Sequence, residues 1–289
     1  MPMINSFGVI GGDERMRYLA SSIAADGYPV CAYGFENSGP IRGVAETPLL
    51  DLVKKSSVIL LPLPATRDGE TLLAPFAAEP IRLDDEFAAL FRNRTVYGGM
   101  LQKLTASSAV WKEIEPEDYY RREELAVGNA IATAEGAVEA AIREYPGTLN
   151  GAKCLVTGLG RIGKNLALLL HAMGAHVYVA ARKKGDLMFA RALGTEPLAY
   201  REITQRFDII FNTVPARVIG APVLARQDED TLILELASAP GGIDTESALR
   251  MHIRVVEALS LPGRVAPKTA AEYIKIGRAS CRERVCQYV

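Results

Sequence analysis

The chain has 289 residues, too many for one comfortable hydrophobic core, so two domains are expected. Its 33 Lys+Arg against 34 Asp+Glu leave a formal net charge of -1, which argues against a nucleic-acid coat or an acidic-membrane binder. Apolar residues make up 49%, which excludes wholesale disorder, and no apolar run approaches the length of a membrane span.

The start, Met1–Asn5, lacks a basic segment and reads as no signal peptide. Strand Phe7–Ile10 comes first, then helix Arg15–Ala25 closed by Asp26-Gly27, then strands Val30–Phe35, Val58–Leu61 and Thr95–Tyr97. Ala109–Ile114 reads as one more strand. A helix too long for an ordinary crossover runs over Tyr119–Glu144, ends at Pro146-Gly147, and offers Gly128 and Gly136 as kinks. A second α/β unit follows: strand Lys153–Thr157, helix Ile162–Met173, strand His176–Ala180, helix Leu187–Leu193, then strands Asp208–Asn212, Thr231–Glu235 and Arg254–Ala258. Ala266–Lys275 reads as a helix returning to the first domain. Short strands alternating with amphipathic helices predict an α/β protein: two Rossmann-like doubly wound domains joined by a long linking helix, with a cleft between them. The expected boundaries are 1–118, 119–146 for the helix, 147–262, and 263–275 for the returning segment. The last stretch, Ile276–Val289, breaks the helical pattern and resembles one reading frame of a sequencing-library adapter. It is read as non-native, and no chemistry is assigned to Cys281 or Cys286.

Gly158-Leu159-Gly160-Arg161-Ile162-Gly163 follows one strand directly and opens a helix. In that context the spacing predicts a dinucleotide site. Gly158 permits the tight turn, Gly160 lets the backbone approach a pyrophosphate, and Gly163 lets helix and sheet pack closely. Arg161 and Ile162 complete the turn at the positive helix end. An NAD site usually carries an acid about 20 residues later. Here the second strand ends Ala180-Ala181-Arg182-Lys183-Lys184, so Arg182, with Lys183, is expected to meet a 2′-phosphate, and NADP(H) is the expected cofactor. Gly11-Gly12-Asp13 opens the first helix differently. Asp13 reads as a helix cap or as a substrate or partner contact, and no second dinucleotide is expected there.

His171, His176 and His252 fall within a helix or before strands, the wrong edge for a site, which weakens a 2-hydroxyacid dehydrogenase reading. The loops at the correct edge are Asn212-Thr213-Val214-Pro215 and Leu236–Gly242, which includes Ala237 and Ser238; both would lie beside the nicotinamide. From the first domain, Arg67 reads as a carboxylate clamp or an exposed loop arginine, and Gly99 leaves the fourth strand. On the long helix, Asn129, Thr133 and Glu135 lie within two turns. Glu135 reads as a base or as a surface carboxylate. Thus Glu135, Asn212 and Thr133 are the catalytic candidates, and no metal site is expected, because no Cys/His cluster has ligand spacing. Cys31 and Cys154, inside apolar strands, read as buried reduced thiols of a cytoplasmic protein.

With Val9–Asp13, Asn129–Gly136, Gly158–Gly163, Asn212–Pro215, Leu236–Gly242 and Leu261–Ala270 in place, the chain resembles the dipicolinate synthase A-subunit family up to Lys275. It departs at Ala132, where proline is expected, and at Ala271, where glycine is. The resemblance implies oxidation of dihydrodipicolinate, a branch product of the lysine pathway, to the diacid of bacterial endospores. It implies an oligomer, and a partner in the mother cell, the flavoprotein-like B subunit. A planar diacid needs cationic anchors, for which Arg67 and Lys268 are the expected residues; Asp13, Gly99 and Asn129 are the other expected substrate contacts. Two other readings remain: a stand-alone shikimate-dehydrogenase-like oxidoreductase, and a non-catalytic NADP(H)-binding scaffold.

Overall fold

The computed structural model describes residues 6–275, so the expectations for Met1–Asn5 and for Ile276–Val289 lie outside the described residues. The described residues divide into two compact units, one holding 6–128 and 267–275, the other Asn129–Ala266.

The first unit runs β1 (Phe7–Ile10), α1 (Glu14–Ala25), β2 (Val30–Tyr33), β3 (Ala45–Glu46), α2 (Leu49–Lys55), β4 (Val58–Leu60), α3 (Asp85–Ala89), β5 (Thr95–Gly98), α4 (Gln102–Ser107), α5 (Trp111–Ile114) and β6 (Glu117–Asp118). Helix α6 (Glu123–Glu144) carries the chain into the second unit. There follow β7 (Lys153–Thr157), α7 (Arg161–Ala172), β8 (His176–Ala180), α8 (Lys184–Ala192), β9 (Glu196–Leu198), β10 (Ile209–Asn212), α9 (Ala221–Leu224), β11 (Leu232–Glu235), α10 (Thr245–Arg250), β12 (Arg254–Glu257) and α11 (Leu261–Val265). A last helix, α12 (267–275), belongs to the first unit.

Each unit holds one six-stranded sheet, ordered β3-β2-β1-β4-β5-β6 in the first and β9-β8-β7-β10-β11-β12 in the second. Every ladder is parallel. Both orders are the doubly wound one, in which the chain leaves β1 and β7 to one side and returns on the other. Strands covered on both faces read as unbroken apolar runs, and β1, β10 and β11 are buried at all four positions. The helices carry the complementary stripe: Met16, Leu19, Ala20 and Ile23 on α1, and Gly163, Leu166, Ala167 and Leu170 on α7.

The structure corrects some expectations. Ala109–Ile114 is not a strand but helix α5 and its approach, since Val110, Trp111 and Ile114 recur at helical spacing. Trp111 is buried and stacks on Phe91 with centroids 5.7 Å apart and planes 15° off parallel. Tyr119–Arg121 forms a single 3-10 turn capped by Asp118, so the long helix begins only at Glu123. The helix runs unbroken to Glu144. Its glycines are points of close approach: a Cβ at Gly128 would sit 2.6 Å from the Tyr273 ring, and one at Gly136 would sit 2.9 Å from Leu261 Cβ. Although α6 is long and apolar enough to span a membrane, 61% of its most apolar stretch is buried, as in a core helix. Helix α12 is tied into the first unit by Arg122, which donates to the Ile274 carbonyl at 2.9 Å, and by Lys275, paired with Asp26 at 3.0 Å.

Candidate functional site

At the carboxyl edge of the second sheet, the glycine turn connects β7 to α7. Gly158 adopts a φ of +84°, a left-handed backbone that favours glycine. A Cβ there would lie 2.7 Å from Val214 Cγ2 and 2.9 Å from Thr213 Oγ1. A Cβ on Gly163 would collide with the Gly158 carbonyl oxygen at 2.1 Å, so the helix packs on the turn only because that atom is missing. Gly160 differs: a Cβ there would meet nothing within 4 Å. It is the N-cap of α7, with no side-chain cap and no acid in the first turn. An uncapped helix end beside a glycine that leaves room for another molecule fits the pyrophosphate of a nicotinamide dinucleotide.

The first unit carries the contrasting arrangement. Helix α1 is capped by Asp13, whose carboxylate accepts the Arg15 N–H at 3.1 Å, and Glu14 follows in the first turn. Negative charge therefore occupies the place a phosphate would take.

Beside the glycine turn, the ends of three strands are joined through one side chain. Asn212, at the end of β10, has no solvent exposure. Its Oδ1 accepts the Thr157 hydroxyl of β7 at 2.5 Å and the Val214 N–H at 3.3 Å. Its Nδ2 donates to Glu235 of β11 at 2.6 Å and to the Val214 carbonyl at 3.0 Å. Glu235 also accepts the N–H groups of Ala237 at 3.0 Å and Gly242 at 2.9 Å, which fixes both ends of the loop after β11. The Thr213 hydroxyl donates to the Thr157 carbonyl at 2.7 Å. Gly242 is required by crowding, because a Cβ would come within 2.4 Å of both Asn212 Nδ2 and the Val214 carbonyl oxygen.

Of the cofactor residues expected from sequence, Gly158, Gly163, Thr213 and Val214 meet in one cluster. Ala237 is buried and joined to that cluster through Glu235, whereas Ser238 and Pro215 are exposed on their loops. Arg161 is exposed in the first turn of α7, and the Ile162 side chain packs against the core. Arg182 and Lys183 are exposed where the chain leaves β8, Lys183 being the N-cap of α8. Arg182 lies within electrostatic reach of Tyr200, and burial pushes the pKa of that phenol up.

Asn212 has both lone pairs of its oxygen and both its N–H groups engaged within the protein. The Thr133 hydroxyl donates to the Asn129 carbonyl one turn back at 2.7 Å. Glu135 stands on the exposed face of α6. Asn129 is buried with an Oδ1 that has no hydrogen-bond partner among the described residues. In the first unit, Asp13 caps α1 and Gly99 fits against Leu63 and Tyr119, where a Cβ would lie 2.5 Å from Leu63 Cδ1. Arg67 is exposed, on a loop whose carbonyl accepts from Lys103, and Lys268 is exposed on α12. Sequence reasoning missed the roles of Glu235, Thr157 and Arg15. The available signal was a polar residue closing an otherwise apolar strand, as in Leu-Ile-Leu-Glu and Ile-Ile-Phe-Asn.

Burial pushes the Cys154 thiol up to about 12, which leaves it inert inside β7.

This geometry makes two testable demands. Glu235→Gln places an amide where three N–H donors converge, so stability should fall by about 1–3 kcal/mol. An unchanged thermal unfolding midpoint would remove the carboxylate from its bridging role. Gly160→Asp supplies a good N-cap without a clash, so the fold should keep its midpoint while dinucleotide binding, followed by reduced-nicotinamide fluorescence, is lost. Retained affinity would exclude this turn as the pyrophosphate site.

Comparison with known proteins supplies the family. Residues 6–119 match the family model for the N-terminal domain of the dipicolinate synthase A subunit. Residues 127–246 match that for the D-isomer specific 2-hydroxyacid dehydrogenase NAD binding domain, so the nucleotide-binding portion is that of a nicotinamide oxidoreductase. The dipicolinate synthase A subunit of Bacillus subtilis is 29% identical over 276 residues, covering 92% of each chain. The crystal structure of the A subunit of dipicolinate synthase from Bacillus halodurans is 30% identical and superposes with a TM-score of 0.86, over 96% of this chain and 98% of the other. That of the Bacillus subtilis protein, 26% identical, gives 0.85 over 100% and 99%. A transhydrogenase from Sinorhizobium meliloti, 16% identical with a TM-score of 0.67, shares the fold alone. With a relative at 30% identity along almost its whole length, and its N-terminal unit matched by the family's own model, the chain belongs to the dipicolinate synthase A-subunit family.

Proposed function

We propose that the chain is the A subunit of a dipicolinate synthase and carries out the NADP-linked oxidation of dihydrodipicolinate to dipicolinate. On this reading it acts with a flavoprotein-like B subunit, forming an oligomer, in the cytoplasm of the mother cell of a spore-forming bacterium. The observation that carries the choice of NADP(H) is the end of β8. Arg182, and not an acid, stands where the adenine ribose would lie, with Lys183 and Lys184 beside it, all three exposed. A guanidinium there binds a 2′-phosphate and leaves a 2′-hydroxyl without its usual carboxylate acceptor.

When bound, the nicotinamide supplies the hydride acceptor. The chain supplies shape: the turn Gly158–Gly163 for the pyrophosphate, and the loops after β10 and β11, held by Asn212 and Glu235, as walls for the ring. Conversion of a dihydropyridine to an aromatic pyridine has its own driving force. Little acid–base help is then required, in keeping with an Asn212 whose hydrogen bonds are all taken up inside the protein.

The test is formation of dipicolinate from freshly generated dihydrodipicolinate and NADP+, with and without the B subunit. Product that appears only with both subunits is the expected result. Product from this chain alone would place the whole reaction here, and none in either case would favour a keto-acid oxidoreductase. Arg182→Asp should turn the preference towards NAD(H); a variant that still favours NADP(H) in paired titrations would count against the role given to that arginine.

A further inference from the structure

The first unit contains a buried guanidinium with one corner unused. Arg15 stands in the first turn of α1 and is 6% exposed. Its Nε donates to Asp13 Oδ1 at 2.9 Å and its Nη2 to Asp13 Oδ2 at 2.7 Å, while Nη2 also donates to the Leu63 carbonyl. Nη1 has no hydrogen-bond partner among the described residues. Arg17 Nε and Arg122 Nη1 are sealed and unsatisfied, whereas the Arg15 side chain keeps 7% of its surface exposed.

The position of this corner matters. Asp13 and Arg15 follow β1, and Leu63 follows β4; these strands are neighbours, and the sheet order reverses between them. In open parallel sheets the ligand crevice lies outside the carboxyl ends of the strands at such a reversal. Tyr119 helps build the same edge. Its hydroxyl donates to the Leu61 carbonyl at 2.9 Å, and burial holds it well above the usual phenol range, so it remains neutral. Gly99 fits against that ring without a Cβ.

The chemistry selects the ligand class. Asp13 occupies one edge of the guanidinium and fixes its plane, so a long side chain is already ordered before a ligand arrives. The free Nη1 N–H groups suit an anionic oxygen. Asp13 and Glu14 at the start of α1 disfavour a multiply charged phosphate, but each is neutralised by its own arginine, Arg15 at 2.7 Å and Arg17 at 2.8 Å. A singly charged carboxylate fits that balance. We infer that Arg15, oriented by Asp13, anchors a carboxylate of the substrate through Nη1. The inference rests on the functional reading above, which makes the substrate a planar diacid.

The test is calorimetric titration of the full chain with pyridine-2,6-dicarboxylate in the presence of NADP+, for the wild type, Arg15→Met and Arg15→Lys. Thermal unfolding and NADP(H) binding are followed on the same samples. Arg15→Met should weaken the diacid by about 10- to 100-fold, as for loss of a hydrogen bond to a charged group, and leave NADP(H) affinity unchanged. Arg15→Lys keeps a cation for Asp13 but not the second edge, and should also weaken binding. It carries the comparison if the methionine variant does not fold. Equal diacid affinity in the folded variants and the wild type overturns the inference and leaves the functional reading standing. Failure of the wild type itself to bind the diacid, with NADP(H) still bound and the B subunit present in the calorimeter cell, overturns both.

Discussion

One buried amide holds the second unit's functional edge together. Parallel strands end in carbonyl and N–H groups that the next turn must satisfy, and three adjacent strands could end in three independent loops. Asn212 prevents that by bonding to Thr157 on one side and Glu235 on the other. Glu235 in turn gathers both ends of the loop after β11. Buried polar groups of this kind are costly unless every member is satisfied, and when satisfied they specify one arrangement. The turn from β7, the loop after β10 and the loop after β11 therefore form a single platform.

The two units show how little of a ligand preference resides in the fold. Both sheets have the same strand order, and both first turns contain glycine with left-handed backbone. They differ in what occupies the helix end. The start of α7 has no side-chain cap and no acid in its first turn, whereas Asp13 and Glu14 place two carboxylates at the start of α1. A helix start without a carboxylate cap suits a pyrophosphate, and one that carries two carboxylates does not.

Most of the architecture was legible because parallel strands and amphipathic helices leave strong periodic signals. The glycine turn was legible because each glycine answers a separate steric demand, two of which appear here as clashes at 2.7 and 2.1 Å. Short elements escaped. β3 and β6 have two residues each, too few for a period, and α5 hid because Trp111 and Ile114 fit a strand by composition and a helix only by spacing. The polar roles escaped for another reason. Whether Asn212 faces a ligand or its neighbours depends on residues 55 positions back and 23 ahead, which no local pattern contains.

The same distinction bears on where chemistry can occur. A residue chosen because it lies at the correct edge is chosen by position, and position alone does not leave a donor free. Asn212 satisfies the positional criterion, yet its polar atoms serve the protein itself. Arg15 satisfies it with Nη1 to spare, and a chain that binds its reactants by such leftover donors contributes orientation more than proton transfer. That division suits a reaction whose product is stabilised by its own aromaticity. On the proposed reading, the burden falls on how closely the platform around Asn212 is held in one arrangement.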